Sequence, residues 1–187
     1  MKSTIRIIGG NWRGRKIEVA DAEGLRPTPD RIRETLFNWL GFHCRGARVL
    51  DCFAGSGVLG IEAMSRGAAS LIAIEKQADA AKKLGAQIDR LNIPSAEILN
   101  DDALRAVHRF EQAFDLIFID PPYAKPELRS QIFSLLEQGG LLKEGALLYF
   151  EWPKGETYKL PSAKLSWQKQ KQAGQANYAV AEWRFTG

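Results

Sequence analysis

The chain has 187 residues and a formal net charge of +4, with 45% hydrophobic and 26% charged residues. This composition excludes a disordered tract, a low-complexity segment and a disulfide-stapled scaffold, and the length suits one domain of α/β size that buries roughly 70% of its unfolded surface. No run approaches about 18 apolar residues and no apolar core follows Met1-Lys2-Ser3-Thr4-Ile5-Arg6, so neither a membrane span nor a signal peptide is expected.

The charge is uneven. Residues 1–48 hold 10 Lys/Arg against 5 Asp/Glu, residues 49–158 hold 11 against 16, and residues 159–187 hold 5 against 1. Basic ends around an acidic middle suggest a polyanionic partner such as nucleic acid, with an ordinary solvated surface as the alternative. Cys44 and Cys52 are too few for a disulfide framework and fit no metal motif. They read as reduced, partly buried thiols of a cytoplasmic protein.

In chain order, Ile5–Ile8 and Arg15–Val19 predict two short strands joined by a Gly-Gly-Asn-Trp-Arg-Gly turn region. A helix follows, with Thr28 as N-cap, Pro29 as first helical residue and Asp30 as first-turn anion. Ile32, Leu36, Trp39 and Leu40 form its apolar stripe and Gly41 its stop. The rhythm then alternates. Strands are predicted at Arg48–Phe53, Ser70–Glu75, Ala96–Leu99, Phe114–Asp120 and Ala146–Glu151, with helices near 58–66, 77–91, 102–110 and 126–138. Continuous apolar strands such as FDLIFID suit a parallel sheet covered on both faces. The chain ends on two strand-like runs, AKLSWQKQKQA and NYAVAEWRF, joined by Gly174-Gln175-Ala176 and read as an antiparallel hairpin.

Gly55-Ser56-Gly57-Val58-Leu59-Gly60 is a G-x-G-x-x-G, and Glu75 follows Gly55 by twenty positions. That is the dinucleotide fingerprint. Asp51 immediately before the loop argues against a pyrophosphate, which it would repel, and for a ligand with an amino group such as S-adenosylmethionine. Glu75 suits ribose hydroxyls in either case. An NAD(P)-dependent oxidoreductase therefore stays open, although no Tyr-x-x-x-Lys pair or catalytic histidine is evident. Asp120-Pro121-Pro122-Tyr123 ends a predicted strand. Two prolines stiffen the exit and remove N–H donors, leaving carbonyls and the Asp120 carboxylate as acceptors for an exocyclic amine. Tyr123 offers a flat face to a splayed base, a contact of roughly 1–3 kcal/mol. His43 and His108 read as surface or helix-end residues, Trp39 as core, and Trp12 as packing.

The motifs DCFAGSGVLGIEAMSRGA, Glu75, Asp102-Ala103-Leu104 and DPPY resemble those of class I S-adenosylmethionine-dependent methyltransferases acting on amino groups. The front, RIIGGNWRGRKI followed by RPTPDRIRETLFNWL, is similar to the bacterial 16S rRNA guanine-N2 methyltransferase family (RsmD). The resemblance implies a Rossmann-like α/β fold with a mostly parallel seven-stranded sheet ending in an antiparallel hairpin. It implies a basic hairpin-and-helix extension at residues 1–46 that binds RNA and a methyltransferase domain at 47–187.

It also implies roles. Asp51, Gly55, Ser56 and Gly57, with Ala54 beside them, would surround the methionine moiety of S-adenosylmethionine. Glu75 would hold the ribose, and Asp102 and Ala103 the adenine. Asp120 and the Pro121 carbonyl would bind the target amine, and Tyr123 would stack on the guanine. Arg13, Arg15, Lys16, Arg26, Arg31 and Arg33 are the candidates for the RNA backbone, with pairing to Asp30 and Glu34 as the other reading of Arg31 and Arg33. No metal is needed. The implied partner is 16S rRNA, within an assembled or assembling small subunit, bound by a monomer. Adenine-N6 methylation of RNA or DNA is the alternative within the same chemistry.

Overall fold

A computed structural model describes residues 4–18 and 28–186, so Val19 and Arg26 lie outside the described residues. The front hairpin pairs β1 (Thr4–Arg6) with β2 (Lys16–Glu18) antiparallel, Ile5 opposite Ile17. Strand β1 ends before Ile7 and β2 starts after Arg15, because Ile7 bonds to Arg15 and Gly14 as part of the turn.

Helix α1 spans Asp30–Leu40. Its N-cap is Pro29, with extended ψ of 149° and no side-chain cap, so the predicted Thr28 cap is corrected. Thr28 is buried, and its carbonyl instead accepts the Arg33 Nε at 3.2 Å. Gly41 ends the helix as expected, and a 3-10 turn, Gly41–Cys44, leads into the sheet.

The alternating part runs β3 (Arg48–Asp51), α2 (Val58–Ser65), β4 (Ser70–Ile74), α3 (Ala78–Leu91), β5 (Ala96–Leu99), α4 (Ala103–Ala106), β6 (Phe114–Ile119), α5 (Glu127–Gln138) and β7 (Leu142–Pro153). The closing hairpin is β8 (Leu165–Ala173) and β9 (Ala176–Trp183). Two elements differ from expectation by more than two residues at an end. The helix near 102–110 is one α turn plus a 3-10 turn at Val107–Arg109. Strand β7 begins before Ala146, because Leu142 already pairs with Phe114 across an irregularity in β6.

The sheet order is β5-β4-β3-β6-β7-β9-β8, parallel as far as β7 and antiparallel through β9 and β8. Strand alternation feeds two cores. Val49, Leu71, Phe118 and Tyr149 face α1, α2, α3 and the front hairpin, while Leu50, Ile72, Ile119 and Phe150 face α4 and α5. Ile5, Ile7 and Ile17 of the front share the first core with Leu36, Phe37 and Tyr178. No helix of the described residues is long and apolar enough to cross a membrane.

Candidate active site

The chain leaves β3 toward β4 and β5 on one side, then returns to β6 on the other. The order reverses between β3 and β6, and open α/β sheets bind ligands in the crevice at such a point, outside the carboxyl ends of the strands. Asp51 ends β3 and Asp120 follows β6, so an acid stands on each side of that crevice. Glu75 follows β4, and Asp101-Asp102 lie just past β5.

The glycine loop is held by its own neighbours. Ala54 N–H donates to the Ile74 carbonyl at 2.9 Å and Gly57 N–H to the Ala54 carbonyl at 2.7 Å. Gly57 is the N-cap of α2 with φ of 74°, and a Cβ there would stand 2.2 Å from a Leu84 methyl. Only glycine satisfies both the left-handed backbone and the approach of α3. Glu75 accepts the Gly55 N–H through Oε2 at 2.8 Å and the Gln77 N–H through Oε1 at 2.7 Å. A carboxylate has about four lone-pair sites, so each oxygen keeps capacity for a ribose hydroxyl.

Asp51 is buried and accepts the backbone N–H groups of Gly60 and Phe53. Gly60 lies in the first turn of α2, so Asp51 supplies the anion that a helix N-terminus attracts. Burial pushes its carboxyl up to about 7, the two N–H bonds pull the other way, and the Glu75 charge adds to the rise. Asp102 caps α4 by accepting the Leu104 N–H at 3.0 Å and pairs with Lys76 at 2.8 Å. The Lys76 bond is the leading cause that holds its carboxyl below the ordinary range. Ala103, beside it, is buried.

Asp120 is partly buried, and no group of the described residues hydrogen-bonds its carboxylate. Burial raises its pKa well above the ordinary value, the charges of Glu151 and Asp51 raise it further, and Arg129 opposes them. Pro121 is buried, whereas Tyr123 is 42% exposed. The carboxyl end of β6 therefore presents an acceptor beside an accessible aromatic ring.

The family model "Conserved hypothetical protein 95" matches residues 5–182. The ribosomal RNA small subunit methyltransferase D of Escherichia coli K12 is 42% identical over 176 residues, covering 94% of this chain and 88% of that protein. The chain belongs to the ribosomal RNA small subunit methyltransferase D family. Its Haemophilus influenzae relative of the same name is 40% identical over 96% of this chain and 94% of that one. The solved yhhF structure from Escherichia coli has a TM-score of 0.89 at 37% identity, covering 97% of this chain and 99% of that one.

In this member of the methyltransferase D family the front cations divide. Arg13, Arg15, Lys16 and Arg31 are exposed and have no ion-pair partner among the described residues. Arg33 is corrected as an RNA contact. Its side chain is fully buried, with Nη2 2.5 Å from Asp30 and 3.0 Å from the Arg6 carbonyl, and Nη1 3.4 Å from the buried Glu62. Position 33 falls on the same helix face as Leu36 and Leu40, which the periodicity already assigned to the core, and Phe37. The front turn docks at the far end of α2 from the glycine loop, where Asn11 N–H donates to the Ser65 carbonyl and Trp12 N–H to Ser65 Oγ. Gly10 is required there, since a Cβ would meet the Ser65 carbonyl oxygen at 1.8 Å. Trp12 and Trp39 pack partly buried against the core.

Sequence reasoning missed Glu151 altogether. It lies in β7 one residue past Phe150, which pairs with Ile119, and is therefore level with Asp120. Its signal was a single acid inside the apolar run ALLYFEW.

Proposed function

We propose that the protein transfers the methyl group of S-adenosylmethionine to the exocyclic N2 amino group of a guanine in 16S rRNA. The observation that carries this reading is the position of the Asp51 carboxylate. It fills the anion position at the N-terminus of α2, where an NAD pyrophosphate would have to bind. A ligand with a cationic amino group and no phosphate suits that place. Gly55, Ser56, Gly57 and Ala54 wall the same loop, Glu75 keeps acceptor capacity for the ribose, and Asp102-Ala103 stand beyond β5 for the adenine.

S-adenosylmethionine, when bound, supplies an electrophilic methyl carbon on a sulfonium. The guanine N2 lone pair is delocalised into its ring and is a poor nucleophile. Two acceptors, the Asp120 carboxylate and the Pro121 carbonyl, draw its N–H groups out of that plane and aim the lone pair at the crevice. Tyr123 holds the base by stacking. In-line transfer of that methyl carbon from the sulfonium to N2 would leave one surplus proton on the nitrogen, for which the Asp120 carboxylate is the acceptor. Positioning and electrostatics account for the rate, and no metal enters.

The decisive test supplies labelled S-adenosylmethionine and small ribosomal subunits from a strain lacking the gene. Label in N2-methylguanosine is the expected result; label in N6-methyladenosine would keep the cofactor and replace the substrate. The ionised Asp51 binds the cationic amino group and the protonated form does not. With its carboxyl at about 7 in the free protein, affinity for S-adenosylmethionine rises with pH, by about tenfold from pH 6 to 8 for one such group. Calorimetry across that range checks this, and Asp51→Asn abolishes the dependence.

The reading includes 16S rRNA in an assembled or assembling small subunit as partner, a monomeric enzyme, and a cytoplasmic setting. Residues 1–46 form its RNA-binding extension through Arg13, Arg15, Lys16 and Arg31. The triple change Arg13→Ala, Arg15→Ala, Lys16→Ala lowers the slope of log affinity against log salt by about 2, at roughly 0.7 for each lost contact to a single strand. The melting temperature stays at the wild-type value, since these side chains pair with nothing described. An unchanged slope removes this surface from the reading.

A further inference from the structure

We propose that Glu151 is a positioning residue for methyl transfer, which aims the Tyr123 ring with one carboxylate oxygen and keeps a negative charge beside Asp120. The proposal rests on the reading of Asp120 and Tyr123 as the amine and base site. Its geometry is independent of any motif. Tyr123 donates its hydroxyl to Glu151 Oε1 at 2.6 Å, and the buried Tyr149 donates to Oε2 at 2.7 Å. Arg129 Nη1 donates to the Glu151 carbonyl at 3.1 Å, which fixes the backbone of the same residue.

Glu151 is buried, at 8% exposure, near the carboxyl end of a strand otherwise apolar from Ala146 to Trp152. A buried carboxylate is retained only where it is paired and hydrogen-bonded, and apolar substitutes of the same shape are often as stable. Structure alone would be served by tying Glu151 to interior groups. Here one of its two donors is the exposed tyrosine of DPPY. A tyrosine ring turns freely about its side-chain bonds, and an anchored hydroxyl removes that freedom before a base arrives. The tether makes Tyr123 a preset platform.

The charge has a second effect. The groups facing Asp120 are Glu151 on β7, Asp51 on β3, Arg129 on α5, and the hydroxyls of Tyr123 and Tyr149. After burial, Glu151 is the largest influence raising the proton affinity of Asp120. Asp120 must be ionised to accept the amine hydrogens, so its protonation sets the acid limb of kcat/KM. Removing the Glu151 charge lowers the proton affinity of Asp120, and the acid limb moves to lower pH.

Two variants separate the effects, each measured for methyl transfer to small-subunit rRNA, S-adenosylhomocysteine affinity and melting temperature. Tyr123→Phe loses the tether and leaves the charge. It is expected to raise KM for RNA about tenfold, within the worth of one base stack, with the acid limb unmoved. Glu151→Gln is expected to raise KM for RNA similarly and also to shift the acid limb down. Both keep the wild-type S-adenosylhomocysteine affinity. Wild-type KM and pH profile in Glu151→Gln would overturn the proposal. So would a fall in melting temperature and cofactor affinity in Glu151→Gln combined with a wild-type Tyr123→Phe, which is the pattern of a purely structural carboxylate. Absence of transfer by the wild-type protein, with S-adenosylhomocysteine still bound, would instead overturn the substrate reading on which the proposal rests.

Discussion

Asp120→Ala lowers the single-turnover rate of methyl transfer by about 10²–10³, the usual size for removing one group aimed at the reacting centre. S-adenosylhomocysteine binding is retained, because the groups expected to hold the cofactor end β3 and β4 rather than β6. The melting temperature equals or exceeds that of the wild type. Asp120 stands in a desolvated place among like charges from Glu151 and Asp51, which is unfavourable for its ionised form. Removing it relieves that repulsion. A site built for function characteristically loses activity and gains stability together. Asp120→Asn keeps one amide oxygen for an N–H but cannot take up the proton, so it falls between alanine and wild type. A rate for Asp120→Ala within threefold of wild type would remove Asp120 from the chemistry.

Arg33→Met destabilises the protein by about 3 kcal/mol, the lower part of the range for leaving a buried charge without its partner. In a chain of this size that is roughly a 10 °C fall in melting temperature. The side chains of Arg33 and Glu62 are both fully buried. Glu62 accepts the Ile8 and Gly9 N–H groups at 2.9 and 2.8 Å and the Arg66 Nε at 3.0 Å, so it ties the front hairpin to α2. Arg33 completes the knot through Asp30, the Arg6 carbonyl and the Thr28 carbonyl. Glu62→Gln falls short of restoring stability in the Arg33→Met background, since an amide cannot accept both backbone donors and the Arg66 guanidinium. Thermal melts of the two single variants and the double variant measure the coupling. A fall below about 1 kcal/mol for Arg33→Met would mean that solvent reaches Glu62.

The central strands were legible because β3, β4 and β6 are continuous apolar runs, each of which ends at a motif. Asp51, Glu75 and Asp120 could be grouped from the glycine loop, the acid twenty positions on and the DPPY motif, because each falls at the carboxyl end of a parallel strand and those ends converge. Thr28 misled for a local reason. A threonine before Pro29 satisfies the capping rule, yet the buried guanidinium of Arg33 takes its carbonyl and the helix starts one residue later. Arg33 and Glu62 were obscured because a buried ion pair is invisible one residue at a time. Each looks like a surface charge until the apolar face around it is counted. Glu151 was hidden for a different reason. Its partners, Tyr123 and Arg129, lie in the segments after β6, so only the register between β6 and β7 brings them together.

The stacking of Trp39 on Tyr178, with ring centroids 5.2 Å apart, bears on how the chain is made. Helix α1 leaves the ribosome well before the strand that receives its aromatic edge, β9. Until Ala176–Trp183 has emerged, β7 lacks its antiparallel neighbour and the apolar side of α1 lacks part of its cover. Contacts between distant parts of a sequence close late and slow folding. Strand β9 therefore governs when helix α1 and the front hairpin become secure. Nascent chains halted before β9 are the ones expected to depend on chaperones and to be open to proteolysis at the front hairpin.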